Sequence, residues 1–231
     1  MKHADKFILA LALASCGQVQ ELATVNCHMQ SPVNIVPGKG IGSTHQVLVH
    51  YESSKERVAN LGHTVEVEYD SGSYVNYDGV NYQFQQFHFH TPSEHMVAGT
   101  AYDMEMHIVH TYEREGAETP EYLVIGVLFM EGDESEFLST FLDAIPEKEG
   151  DVFESDKKRV NAAEMIPEKL EDFFNYRGSL TTPPYTETVN WIVLRDARTA
   201  SAEQIEVMRA TEGNNARRVQ FLYDRVIESV N

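Results

Sequence analysis

Three histidines, His88, His90 and His107, sit in two segments that otherwise look like sheet core, "YQFQQFHFH" (82–90) and "MEMHIVHTY" (104–112). Side chains two apart on a strand share a face, so Gln86, His88 and His90 point one way while Phe87 and Phe89 point the other. The second segment repeats the arrangement, with Glu105, His107 and Val109 opposed to Met104, Met106 and Ile108. If the two strands neighbour one another, three imidazoles converge over an apolar back. Three imidazole nitrogens with an open fourth position is the arrangement of a catalytic Zn²⁺ site. Gln86 and Glu105 are each two residues from a histidine and on its face. There they can accept the second ring N–H of a ligand, fixing its tautomer and raising its basicity. Any one of these histidines alone reads better as a satisfied core residue; three on converging faces do not. His95 and His110 fall outside the pattern and read as structural.

Histidines alone do not choose the reaction. His88-x-His90 followed by Glu94 is also similar to the metal motif of cupins, where Glu94 would itself be a ligand. Gly99 lies closer than that pattern wants, and no matching second motif surrounds His107.

The elements that must position these groups are mostly strands. Period-two runs recur at "HQVLVHY" (45–51), "TVEVEYD" (64–70), "YLVIGVLFM" (122–130) and "VNWIVL" (189–194), with turn residues between them. Helices are expected at 133–145, where Phe137, Leu138, Phe141 and Leu142 form one stripe, and at 201–211, which opens with Ser201 and Gln204 in capping-box spacing. The acidic stretch from Pro146 to Asp172 is weakly periodic and reads as a solvated loop with helical turns. No repeat, low-complexity tract or linker divides the chain. Residues 17–231 are expected to form a single mainly β domain, a large, twisted, mostly antiparallel sheet with peripheral helices.

The 231 residues carry 18 Lys+Arg against 36 Asp+Glu, a formal net charge of -18, which argues against nucleic acid as a partner. "MKHADKFILALALASC" (1–16) has the basic start, short apolar run and small-residue end of a secretory signal, and no segment is long and apolar enough for a transmembrane helix. "LASC" also resembles a bacterial lipoprotein cleavage box, in which Cys16 would carry a lipid anchor. The expected location is therefore periplasmic or extracellular, tethered or free, with a short N-terminal helix of a cytoplasmic protein as the alternative. With Cys16 removed or lipidated, Cys27 would stand alone and open to pairing between chains in a homodimer.

Further motifs make a resemblance specific. "QSPVNI" (30–35), "NLGHTVEV" (60–67), "QFHFH", "EMHIVH", "YRGSLTTPPYTETVNWIVL" (176–194) and "NNARRVQ" (214–220) occur in the order found in α-class carbonic anhydrases, and the chain resembles that family over most of its length. The resemblance implies reversible hydration of carbon dioxide to bicarbonate and a proton by zinc-bound hydroxide, a lyase activity. His88, His90 and His107 match the zinc ligands, and Gln86 and Glu105 match the groups that orient them. Thr181 matches the hydroxyl that accepts from the hydroxide and donates to a buried carboxylate, here Glu94. Val109, Val124, Leu180 and Trp191 match the apolar wall where carbon dioxide rests, with Thr182 beside the substrate, and His63 matches the proton shuttle. Non-catalytic binding modules on this fold lose zinc ligands, whereas all three are kept here.

Departures from the family are also visible. The usual His-Trp-Gly start is missing. Leu61 and Glu66 stand near the shuttle where relatives often carry amides, and Arg218 replaces a usual proline. Cys27 matches a cysteine that bridges to one just after the Pro-Pro pair. Tyr185 occupies that place here, so the usual intrachain disulfide cannot form.

Overall fold

The structure, a computed structural model, describes residues 27–38 and 41–230. The signal and lipid-anchor expectations at residues 1–16, Cys16 included, lie outside the described residues. The principal strands are β1 (Ser54–Asn60), β2 (Val65–Glu68), β3 (Val80–His90), β4 (Met104–Tyr112), β5 (Glu121–Glu131), β6 (Val152–Val160), β7 (Phe173–Gly178), β8 (Val189–Leu194) and β9 (Glu228–Val230). They lie in one sheet in the order β6-β1-β2-β3-β4-β5-β8-β7-β9. Neighbours pair antiparallel except β5 and β8, which run parallel. The mainly β, mostly antiparallel expectation holds, and every apolar run singled out in the sequence contributes to a strand.

The central strands are specified by what lies on each face. β8 is buried along its whole length, and β5 over its middle, as strands covered on both sides must be. Behind β3 and β4, the side chains of Phe87, Phe89, Met104, Met106 and Ile108 are fully buried and belong to the larger core cluster. Burial of each of these side chains is worth roughly 1.5–3 kcal/mol, which holds the register of the two strands and so the direction of the alternating histidines. Two helices, α1 (Glu136–Ser139) and α2 (Ala202–Glu212), supply Phe137, Leu138, Ile205 and Met208 to the same cluster.

Helix α2 begins with the expected capping box of Ser201 and Gln204. The segment 133–145 is not one helix. α1 ends after a single turn, where Thr140 Oγ1 turns back to the Phe137 carbonyl at 2.7 Å and Phe141 adopts φ -136, before a 3₁₀ turn at Leu142–Ala144. The stripe still buries Phe137, Leu138 and Phe141. The stretch 146–172 is also not simply a loop, since β6 lies within it. β6 is an edge strand whose side chains are mostly exposed, so it lacks an apolar alternation, and its pairing comes from the backbone of β1. Cys27 is disulfide-bonded.

Candidate active site

The strand register assembles the site row by row. Glu66, His88, His107 and Gly126 are successive cross-strand neighbours on β2, β3, β4 and β5. Two residues along, Gln86, Val109, Val124 and Trp191 form the next row across β3, β4, β5 and β8. A row of metal-ligating type thus lies directly beside an apolar row. His90 faces Glu105 on the other side of it.

The rings of His88, His90 and His107 are 5.1, 5.3 and 4.6 Å apart between centroids, and one nitrogen from each lies within 4.8 Å of the others. Which nitrogen is available follows from the hydrogen bonds. His88 Nδ1 donates to Gln86 Oε1 at 2.9 Å, leaving Nε2 open. His107 Nε2 donates to Glu105 Oε1 at 2.9 Å, leaving Nδ1 open. Both ring nitrogens of His90 are buried without a hydrogen-bond partner, although the Asn215 carbonyl lies close enough to act on the ring. An orphaned buried nitrogen costs on the order of 1–3 kcal/mol, which a metal ion at this point would offset. The residues therefore fit a divalent metal of imidazole preference.

Burial and the neighbouring His107 push the His88 imidazole down to about 3, and the same causes push His90 well below its ordinary value. Both are held neutral, the form that ligates. Burial opposes charge on His107 too, but Glu105 outweighs it and raises that ring. Glu105 is fully buried and ionised: desolvation is overcome by His95 and His107, which hold its carboxyl well below the usual range. Its two oxygens take four donors, the Glu94 and His95 backbone N–H groups at 2.9 and 2.8 Å, His95 Nδ1 at 2.7 Å and His107 Nε2 at 2.9 Å. Gly126 is small to admit this carboxylate, since a Cβ there would stand 2.8 Å from Glu105 Oε1.

Glu94 is buried, and burial raises its carboxyl against the pull of His107, the Arg217 backbone N–H and the Thr181 hydroxyl. Its Oε1 accepts from Arg217 N at 2.8 Å. Its Oε2 has no full hydrogen bond and lies 3.5 Å from His90 Nε2 and 3.8 Å from His107 Nδ1. The Thr181 hydroxyl lies near enough to pull that carboxyl down. Val109, Val124 and Trp191 share one buried cluster, with Leu180 packed against it, while Thr182 is exposed.

His63 is exposed beyond His88 and close enough to act on it electrostatically. Its Nδ1 lies 3.0 Å from the Leu61 carbonyl. A carbonyl only accepts, so Nδ1 carries the proton of the neutral ring and Nε2 keeps the lone pair. Glu66 is half-buried on the row of His88, and burial, then Glu68, raises its carboxyl. His95 and His110 are structural as expected: His95 bridges Glu105 and Tyr176, and His110 bridges Tyr51 and the Leu123 carbonyl.

The sequence did not disclose Asn215, Arg217 or Gly126 as parts of the site. The first two stand inside the "NNARRVQ" motif, which was the available signal.

Comparison with known proteins agrees with this geometry. The profile of the eukaryotic-type carbonic anhydrase family matches residues 18–231. This chain belongs to the α-class carbonic anhydrases. It is 36% identical over 206 residues to a carbonic anhydrase of Nostoc sp., covering 87% of this chain and 76% of that one. It is 36% identical over 200 residues to a carbonic anhydrase of Neisseria gonorrhoeae, covering 86% and 76%. The structure of the α-carbonic anhydrase from Thermovibrio ammonificans, solved with the inhibitor sulfanilamide, matches with a TM-score of 0.80 at 36% identity over 87% of both chains. Carbonic anhydrases of this class are metal-dependent enzymes acting on carbon dioxide and bicarbonate, so the cupin reading falls away. Among the described residues, no helix is long and apolar enough to cross a membrane.

Proposed function

We propose that this chain hydrates carbon dioxide reversibly, CO₂ + H₂O giving HCO₃⁻ and H⁺, with zinc held by His88 Nε2, His90 Nε2 and His107 Nδ1. The observation that carries the reading is the convergence of three open nitrogens, one of them a buried orphan. When bound, the zinc lowers the pKa of water enough to supply a nucleophile near neutral pH, behaviour established for carbonic anhydrases.

The chain's own groups do the rest. Gln86 and Glu105 lock the ligand tautomers, so the histidines meet the metal without rearrangement. Glu94 accepts a hydrogen bond from the Thr181 hydroxyl, which leaves Thr181 Oγ1 as an acceptor that admits one orientation of the attacking species and turns its lone pair toward substrate. Val109, Val124, Leu180 and Trp191 offer carbon dioxide an apolar wall and exclude ordered water from it, while Thr182 borders the entrance. His63 accepts the released proton at Nε2 and passes it to buffer, a task suited to a group titrating near neutrality. Leu61 and Glu66 beside it replace amides common in relatives, so proton transfer is differently tuned.

Metal analysis of the purified protein followed by stopped-flow hydration tests this reading. About one zinc per chain with sulfonamide-sensitive hydration is expected. Iron or manganese in its place, or zinc without hydration, would overturn it.

A further inference from the structure

We propose that the Asn215 side chain is a positioning residue for proton transfer, tying the backbone of His63 to the strand that carries His88 and His90. The inference rests on His63 being the proton carrier.

The carboxamide of Asn215 joins three points far apart in sequence. Nδ2 donates to the His63 carbonyl at 2.8 Å and to the Phe89 carbonyl at 3.0 Å. Oδ1 accepts from the Thr91 backbone N–H at 2.9 Å. One planar group therefore grips both residues flanking His90 and, with its remaining N–H, the residue expected to move the proton. Its fork of two donors and one acceptor matches two carbonyls and an N–H, a set no other side chain of this size satisfies at once.

The loop it holds needs a fixed point. His63 is exposed, follows Gly62 at φ +78, and its ring is held by the carbonyl of Leu61 within the same loop. Across to the ligand strand, Thr64 Oγ1 reaches the Phe89 carbonyl at 2.9 Å, and Asn215 supplies the tie at His63 itself. Transfer of a proton across water depends on the span between its ends, so a carrier on a loose loop spends less time at the productive distance. The Asn215 backbone carbonyl, which faces the His90 ring, is a separate contribution that a side-chain substitution leaves in place.

Asn215→Ala removes all three side-chain bonds, and Asn215→Asp keeps the acceptor for Thr91 while losing both donors. The full-length zinc-loaded protein carrying either change, His63→Ala, and the Asn215→Ala/His63→Ala pair are compared in three measurements. In both single variants at Asn215, amide exchange over residues 61–64 should accelerate about fivefold to tenfold, the scale of one lost hydrogen bond, with 88–90 unchanged. Steady-state kcat in dilute buffer should fall while kcat/KM for carbon dioxide and zinc content stay the same, because kcat/KM excludes the later proton export. Imidazole should restore kcat, and the double variant should be no slower than His63→Ala.

Unchanged exchange over 61–64 would overturn the tie. A parallel loss of kcat, kcat/KM and zinc would place Asn215 in the service of the metal ligands instead. If His63→Ala is itself insensitive to buffer, the carrier assignment fails; the exchange measurement still decides whether Asn215 fixes the loop.

Discussion

Replacing Glu105 by glutamine changes one atom in a fully buried side chain and confronts four donors with a single acceptor oxygen. In one orientation the new amide N–H₂ faces the backbone N–H groups of Glu94 and His95. Two charge-assisted bonds are then lost, at about 1.5–3 kcal/mol each, so the protein should be about 3–6 kcal/mol less stable to urea. In the other orientation the amide faces His95 Nδ1 and His107 Nε2. His107 must then accept at Nε2, which moves its proton to Nδ1, the nitrogen proposed to bind zinc. Metal affinity should consequently fall about 10- to 100-fold. Urea unfolding of the metal-free protein and competition with a chelator measure the two outcomes separately. Glu105→Gln with wild-type stability and wild-type affinity would refute the reasoning, since it would show that neither the charge nor the acceptor pair is needed.

Three other outcomes follow from the same geometry. Burial lifts the Glu212 carboxyl to about 8 from an ordinary value of 4.5, with Oε2 on the Val65 N–H and Oε1 unpartnered. Between these pH values the folded state keeps a proton that the unfolded chain releases, so stability falls as pH rises, by at most about 1.4 kcal/mol per pH unit. Glu212→Gln should flatten that dependence in urea titrations from pH 5 to 8; an unchanged slope would assign it to another group. His107→Ala should abolish most zinc binding by metal analysis, and a variant retaining metal and hydration would remove His107 from the ligand set. His63→Ala should slow turnover in weak buffer and recover with imidazole, whereas turnover insensitive to buffer would take His63 out of the mechanism.

The parts of the site that follow from strand alternation were legible in the sequence. His88, His90, Gln86, His107 and Glu105 needed only period two and the knowledge that Phe87, Phe89, Met106 and Ile108 want a core. Glu94 and Thr181 could be paired only through family resemblance, because 87 residues of chain separate them and no local pattern links them. Asn215 and Arg217 were hidden for a different reason. Each acts partly through its backbone, a carbonyl toward His90 and an N–H on Glu94, and backbone contacts leave no mark on residue type. β6 was missed because an edge strand with exposed charged side chains and a register shift has no apolar alternation to betray it.

Arg217 has a consequence for how the enzyme comes into being. Its guanidinium holds the Ser31 carbonyl at 2.6 Å and Gln30 Oε1 at 2.9 Å and lies 3.8 Å over the Tyr185 ring, while its N–H holds Glu94. The backbone N–H that holds Glu94 thus belongs to a residue whose side chain is anchored on stretches far away in sequence. Contacts of such sequence separation close only once the parts of the chain that carry them have been brought together. A nick between Arg217 and its partners should silence turnover in a protein that still holds its metal.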